Sequence, residues 1–225
     1  KWMLSLMAKK SSAYSGEQIK VLEGLEPVRK RPGMYIGSTD EKGLHHLLKE
    51  IVDNSVDEAI AGHAKNVWVF LDDKGYATVV DDGRGIPVDM NPKYKVSALE
   101  LAMTRLHAGG KFEETAYQAS GGLHGVGASA VNALSSHMRV IVKRDKKYWT
   151  QEYKIGHPLS PVKPISTAEI KKLLPLLPSS FFLLPSGTVS SFIPDPSIFK
   201  ITTKWNQNII SEFLRERSYL LAKLN

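Results

Sequence analysis

The chain reads as an α+β protein, a two-layer sandwich in which a mixed, mainly antiparallel sheet is covered on one face by helices. Three observations predict this class. Residues 43–62 repeat apolar side chains at helical spacing over the span of a long amphipathic helix. Residues 66–80 and 138–153 each read as two strands around a short polar turn. Helical and hairpin patterns then succeed one another without the regular strand–helix alternation of a parallel sheet, and no segment repeats.

Composition narrows the class of function. With 225 residues, 42% hydrophobic and 24% charged, the chain has enough apolar material for a sizeable core and an ordinary soluble balance. A net charge of +7 is compatible with an anionic partner but is a weak argument for one. The absence of cysteine excludes a disulfide framework, thiolate metal ligation and thiol catalysis, and fits a reducing cytoplasm. The opening KWMLSLMAKK lacks the apolar length and cleavage site of a secretory signal. Residues 173–184, the other apolar run, are broken by Pro175 and Pro178, so no membrane span is expected. Starting at Lys1 and ending within a helical pattern, the chain reads as a piece of something longer.

Residues 1–15 are polar and read as an arm with Tyr14 as the large aromatic near its end; 16–25 are expected to be helical and 28–39 a basic turn. In the long helix, Leu44, Leu48, Ile51, Val52, Ser55 and Ala59 form the core stripe, while Glu50, Asn54, Asp57 and Glu58 share the opposite face. That face is either a solvated acidic surface or a general base, Glu50, one turn from a ligand for a hard cation, Asn54. Gly62 is expected to close the helix. Strands at 66–72 and 76–80 lead into Asp81-Asp82-Gly83-Arg84-Gly85-Ile86-Pro87. This is equally a plain turn or a strand end that aims a carboxylate into a pocket while glycines admit a ligand.

A helix over 96–106 precedes residues 107–127, which hold six glycines together with Lys111, Tyr117 and His124 and run into a helix over 128–134. Gly122-Leu123-His124-Gly125-Val126-Gly127 is the reverse of the dinucleotide fingerprint, and the surroundings of Lys111 do not make a P-loop. A mobile lid over phosphates is favoured over a linker, because backbone N–H groups converge where glycine-rich segments enter helices. Strands over 138–142 and 147–153 follow, then a proline-rich excursion or loop over 157–186 in which only 167–174 looks helical. A strand over 187–195 offers Thr188 as a polar contact, and an amphipathic helix begins near Asn206 with Ile209, Ile210, Phe213 and Leu214 on one side.

EIVDNSVDEA, DDGRGIP, LHAGGKF, GGLHGVG and the Gly187-Thr188 pair before a strand stand in the order seen in the gyrase, heat-shock chaperone, histidine-kinase and MutL (GHKL) ATPase superfamily. VLEGLEPVRKRPGMYIGST resembles the segment specific to the ATPase domain of type IIA bacterial topoisomerases, with the gyrase B type favoured over its topoisomerase IV counterpart. The resemblance implies the Bergerat fold over residues 16–225, with the downstream transducer, cleavage and DNA-binding modules absent. It implies ATP and Mg²⁺ as ligands, ATP-driven homodimerisation, DNA and a DNA-cleaving partner of the gyrase A type, a monomeric fragment, and a cytoplasmic location.

Carried over residue by residue, the resemblance implies that Glu50 is the general base and Asn54 the Mg²⁺ ligand. Asp81 would accept the adenine amine with help from Thr188; Gly85 and Ile86 would line the adenine slot, with Arg84 and Pro87 at its mouth and Glu58 pairing with Arg84. Lys111, Tyr117, Gly122, Leu123, His124, Gly125, Val126 and Gly127 would close on the phosphates, and Tyr14 would reach the partner's nucleotide. A protein-phosphorylating or chaperone-type relative is disfavoured by the topoisomerase-like first segment; Glu50 speaks against a binding module without turnover in the parent protein, but this piece alone, lacking the transducer, is expected to bind ATP with little turnover.

Overall fold

The computed structural model describes residues 22–106, 108 and 127–220. Two short helices come first, α1 (Glu26–Lys30) and α2 (Gly33–Ile36). The expected helix over 16–25 is not found in its described part: residues 22–25 are coil and turn, with Gly24 at φ +57°. Gly24 takes the left-handed conformation at no steric cost, and Pro27 near the start of α1 places the helix later. The basic segment expected as a turn is therefore largely helical.

The long helix is α3 (Glu41–Ile60). Asp40 caps it, accepting from the backbone of Lys42 at 2.9 Å and Gly43 at 3.3 Å. At its other end Ala61 is the cap and Gly62 follows at φ +81°. Leu44, Leu48, Ile51, Val52 and Ser55 are buried as the apolar spacing requires, but Ala59 is only half-buried. Asp57, expected on the open face, is buried. It lies in the last turns of α3, where that face meets the 82–84 loop through Glu58.

The strands β1 (Val67–Leu71) and β2 (Ala77–Asp81) form the first hairpin. Asp72 fastens its turn by accepting from Lys74 and Tyr76. The helix α4 (Ala98–Thr104), capped by Ser97, precedes the residues that are not described, and α5 (Gly127–Ala133) follows them. Then come β3 (Ser135–Arg144) and β4 (Lys147–Lys154), joined through Asp145 and Lys146, both at positive φ. Next are β5 (His157–Pro158), β6 (Lys163–Pro164), α6 (Thr167–Leu173) and a 3₁₀ turn (Ser179–Leu183). The chain continues through β7 (Gly187–Pro194) and α7 (Gln207–Leu220).

The sheet order is β1-β2-β7-β3-β4-β5, with β6 also on β4, and every described pairing is antiparallel. Alternation divides the side chains between two cores. Ala77, Val79, Met138, Val140, Val142 and Phe192 face the helical layer, where Leu44, Leu48, Val52, Val131 and Phe213 meet them. Val80, Ile141 and Val189 face the other way.

That second face is where the structure departs from expectation. Residues 163–184 are not a free excursion but a strap, with Ile170, Leu177 and Phe181 packed on Val80, Ile141 and Val189. Ser166 and Glu169 form a reciprocal capping box that starts α6. Prolines disguise the segment in the sequence because they end elements early, leaving pieces too short for a periodic signal. The sheet is thus covered by helices on one face and, over part of the other, by this strap.

Candidate functional site

The face of α3 that carries Glu50 and Asn54 lies beside the start of α5 and near the C-terminal end of β2. Glu50 is about one quarter exposed and is held from within its own helix: His46 Nε2 lies 3.1 Å from Glu50 Oε1, one turn earlier. The other oxygen, Oε2, lies against Gly127, the first residue of α5, so closely that an added Cβ there would collide with it. A larger residue there would make the Glu50 carboxylate, the tip of a flexible and partly exposed side chain, shift away. His46 is a site residue that the sequence motifs do not single out, although its i, i+4 relation to Glu50 was the available signal.

At the end of β2 two adjacent aspartates do different work. Asp82 fastens the turn: its carboxylate accepts from the backbone of Lys65 at 2.7 Å and Asn66 at 2.9 Å, and from the Asn66 amide at 2.7 Å. Asp81 points inward and is 6% exposed. Ser55 Oγ donates to one of its oxygens at 2.9 Å and the Gly83 amide to the other at 3.0 Å. Burial pushes the Asp81 carboxyl up to about 6, Glu58 adding to the rise while these donors and the Thr188 amide oppose it. Ser55, placed in the core stripe from its spacing, is therefore also a support for Asp81. Thr188 is buried and directly opposite Asp81 in the β2–β7 register.

Gly85 sits at φ +75°, and a Cβ there would stand 2.9 Å from the Lys143 carbonyl oxygen, so both conformation and space call for glycine. Arg144 donates to the Gly85 carbonyl at 3.0 Å, fixing the loop to β3. Ile86 is half-buried against the helical core, and Pro87 is exposed. Glu58 and Arg84 meet in a two-pronged pair, Nε to Oε2 at 3.1 Å and Nη2 to Oε1 at 3.0 Å. Asn54 is half-buried, one turn past Glu50.

The structure thus brings Glu50, Gly127, Asn54, Asp81, Thr188, Gly85, Ile86, Glu58 and Arg84 to one side of α3 and the adjoining strand ends. Tyr14, Lys111, Tyr117, Gly122, Leu123, His124, Gly125 and Val126 lie outside the described residues. Among the described residues no group of three or more His, Asp or Glu side chains is arranged to hold a metal. The side-chain amide oxygen of Asn54 is of the donor type that an oxygen-seeking cation accepts. No helix among the described residues is long and apolar enough to cross a membrane.

The α5 helix is anchored at its far end. Arg29 of α1 donates to the Ala133 carbonyl and to Asp195 Oδ2, each at 2.7 Å. Asn132 donates to the Met103 carbonyl at 2.8 Å and so fixes α5 to the end of α4.

Comparison with known proteins identifies the family. The family profile "Histidine kinase-, DNA gyrase B-, and HSP90-like ATPase" matches residues 39–156. The DNA gyrase B protein of Haloferax volcanii is 50% identical over 207 residues, which are 92% of this chain and 30% of that protein. The DNA gyrase B protein of Thermotoga maritima is 50% identical over 94% of this chain and 31% of its own length. The B component of DNA topoisomerase 4 from Caulobacter vibrioides is 50% identical over 92% of this chain and 28% of its own length. The chain therefore spans about 30% of the length of the curated relatives it matches.

Proposed function

Because the chain belongs to the histidine kinase-, DNA gyrase B- and HSP90-like ATPase family, we propose that it is the ATP-binding and hydrolysing module of a type IIA DNA topoisomerase of the gyrase B kind. The observation that supports this reading is that α3 meets two carboxylates of different setting: its Ser55 donates to the buried Asp81, and its own Glu50 lies against the start of α5. A buried carboxylate suits the adenine amine as a further donor, and a second carboxylate held against the start of α5 suits the terminal phosphate.

In this reading Asp81 accepts the exocyclic amine of adenine, with Thr188 beside it, and Gly85 and Ile86 form the wall of the slot. Glu58 holds Arg84, and Pro87 stands at the mouth. Asn54 would hold Mg²⁺, which when bound neutralises phosphate charge. Glu50, oriented by His46, takes a proton from the attacking water as its oxygen bonds to the terminal phosphorus and the bond to the ADP oxygen breaks. Inorganic phosphate and ADP leave, and the protonated Glu50 returns its proton to solvent. Lys111, Tyr117 and residues 122–127 would cover the phosphates, and Tyr14 of the 1–15 arm would reach across a homodimer.

For the whole protein, ATP binding would close a dimeric gate on DNA while a partner of the gyrase A type cuts and rejoins strands in the cytoplasm. The relatives' names favour gyrase B over topoisomerase IV only modestly, since one relative of equal identity carries the topoisomerase 4 name. The test pairs calorimetry with phosphate release. ATP should bind wild type and Glu50→Gln alike, with turnover nearly abolished in the variant. Equal turnover in both would overturn the assignment of Glu50, and GTP binding as tightly as ATP would overturn that of Asp81.

A further inference from the structure

The helix α3 carries two polar ladders, each stepping by four residues. One is His46, Glu50, Asn54 and Glu58, which belongs to the site. The other is Glu41, His45, Lys49 and Asp53, whose last three members each stand one residue before a member of the first, so that it is turned about 100° around the helix axis. Every member of the second ladder is engaged by residues 205–217.

Asn206 donates its side-chain amide to Glu41 at 3.3 Å and its backbone N–H to His45 Nε2 at 2.9 Å. The Trp205 ring stands edge-on to His45 with centroids 5.7 Å apart. Lys49 lies over the Phe213 ring at 5.5 Å. At the end nearest the site, Arg217 grips Asp53 with two parallel bonds, Nε to Oδ1 at 2.7 Å and Nη2 to Oδ2 at 3.0 Å. Ile210 and Phe213 of α7 are buried in the helical core between these contacts.

Apolar packing on the sheet tells α3 which stripe to bury, and Ser55 to Asp81 and the Glu58–Arg84 fork hold its C-terminal end, leaving the stretch that carries Lys49 and Asp53 to be fixed from α7. The forked pair of Arg217 and Asp53 is directional: guanidinium and carboxylate must stay coplanar to keep both bonds. Asp53 is next to Asn54 and three residues from Glu50, so its orientation sets theirs. A side-chain tip about 5–6 Å from the helix axis moves by about 1 Å for a rotation of about 10°. Displacements of that order at a reacting group cost about a hundredfold in rate in unfavourable cases.

We infer that Arg217 is a positioning residue for ATP turnover, acting through Asp53 to hold α3 in the rotation that aims Glu50 and Asn54 at the nucleotide. The inference rests on the ATPase reading of the site, and it makes α7 the element through which forces from outside the site reach the general base. The remaining contacts of the ladder keep α7 in register along α3, with Trp205 also tied to the β1–β2 turn through Nε1 and the Gly75 carbonyl at 2.9 Å.

The experiment compares wild type with Arg217→Ala, Arg217→Lys, Asp53→Asn and the Asp53→Asn/Arg217→Ala double variant in the longest natural form of the protein. It measures steady-state ATP turnover across pH, ATP affinity by calorimetry, and thermal melting. Arg217→Ala should lower kcat five- to tenfold, leave KM and Kd for ATP within twofold, and shift the acid limb of the kcat profile. Arg217→Lys should recover part of the loss, since it restores charge but not the fork. Asp53→Asn should match Arg217→Ala, and the double variant should be no worse than either. A kcat within twofold of wild type alongside a lowered melting temperature would overturn the inference by reducing the pair to a staple, and so would parallel losses of affinity and kcat. Turnover in wild type that does not depend on Glu50 would overturn the ATPase reading itself, whereas Glu50-dependent turnover with an unaffected Arg217→Ala overturns this inference alone.

Discussion

Asp81 carries a stability cost that its proposed ligand would relieve. Its carboxyl is pushed from the ordinary 3.8 up to about 6 by burial. Between those pH values the folded chain holds a proton that the unfolded chain has lost, so stability falls as pH rises through the window. Above it the full cost remains, about 3 kcal/mol. Asp81→Asn removes the titrating group, so the stability of the ligand-free variant should fall less than that of wild type between pH 4 and pH 8, as urea denaturation at both pH values would read. An equal fall in both proteins would contradict this. The same substitution should weaken ATP binding only in part, since an amide oxygen still accepts, whereas Asp81→Ala should cost about 1–3 kcal/mol, roughly ten- to a hundredfold in affinity by calorimetry. A Cβ at Gly127 would meet the Glu50 side chain, whose carboxylate would have to move. Gly127→Ala should drive the Glu50 carboxylate aside and depress kcat at least tenfold while the melting temperature changes little; unchanged turnover would show that Glu50 reacts from elsewhere.

At the scale of elements, legibility followed the strength of the periodic signal. The long helix was readable because its buried positions repeat over its whole span and Gly62 punctuates its end, while the start two residues before Gly43, capped by Asp40, went unread. Both hairpins were readable from their turns. The pair Asp81-Asp82 was not decidable from sequence, because a turn and a pocket ask for the same residue types; only the partners of each carboxylate separate the two roles. Asp57 was misplaced because helical periodicity says nothing of a loop arriving from elsewhere. In the strap over 163–184 the helix expected at 167–174 is α6, but the packing of the strap on the sheet was missed because its pieces bury single residues, Ile170, Leu177 and Phe181, rather than a stripe. It is nonetheless part of the folded core. Phe181 is fully buried, and its ring sits 3.3 Å from where a Gly187 Cβ would stand, directly behind the strand that carries Thr188. Phe181→Ala should cost about 3–5 kcal/mol in urea denaturation. A loss below about 1 kcal/mol would return the segment to a surface loop.

Across the whole molecule, the site is assembled from distant parts of the chain: α3, the end of β2, the start of α5 and the start of β7. Their contacts run through Ser55 to Asp81, Glu50 to Gly127, and the β2–β7 register. A ligand that fills the site therefore ties these elements together, and binding should appear as global stability. At a free concentration a hundred times Kd, ATP should add about 2.7 kcal/mol, and for a domain of this size that corresponds to roughly 5–10 °C in melting temperature. The expected order is ATP with Mg²⁺ above ATP with a chelator, and both above GTP, because guanine presents an oxygen where Asp81 needs a donor. Asn54→Ala should remove most of the difference that Mg²⁺ makes while leaving the smaller shift given by adenosine in place. Melting curves with each ligand at matched concentrations, for wild type, Asp81→Ala and Asn54→Ala, separate the two halves of the site. If Asn54→Ala weakens ATP and adenosine equally, Asn54 belongs to the pocket wall and the metal is held elsewhere. If GTP stabilises wild type as much as ATP does, the base is not read by Asp81, and the end of β2 is only a turn.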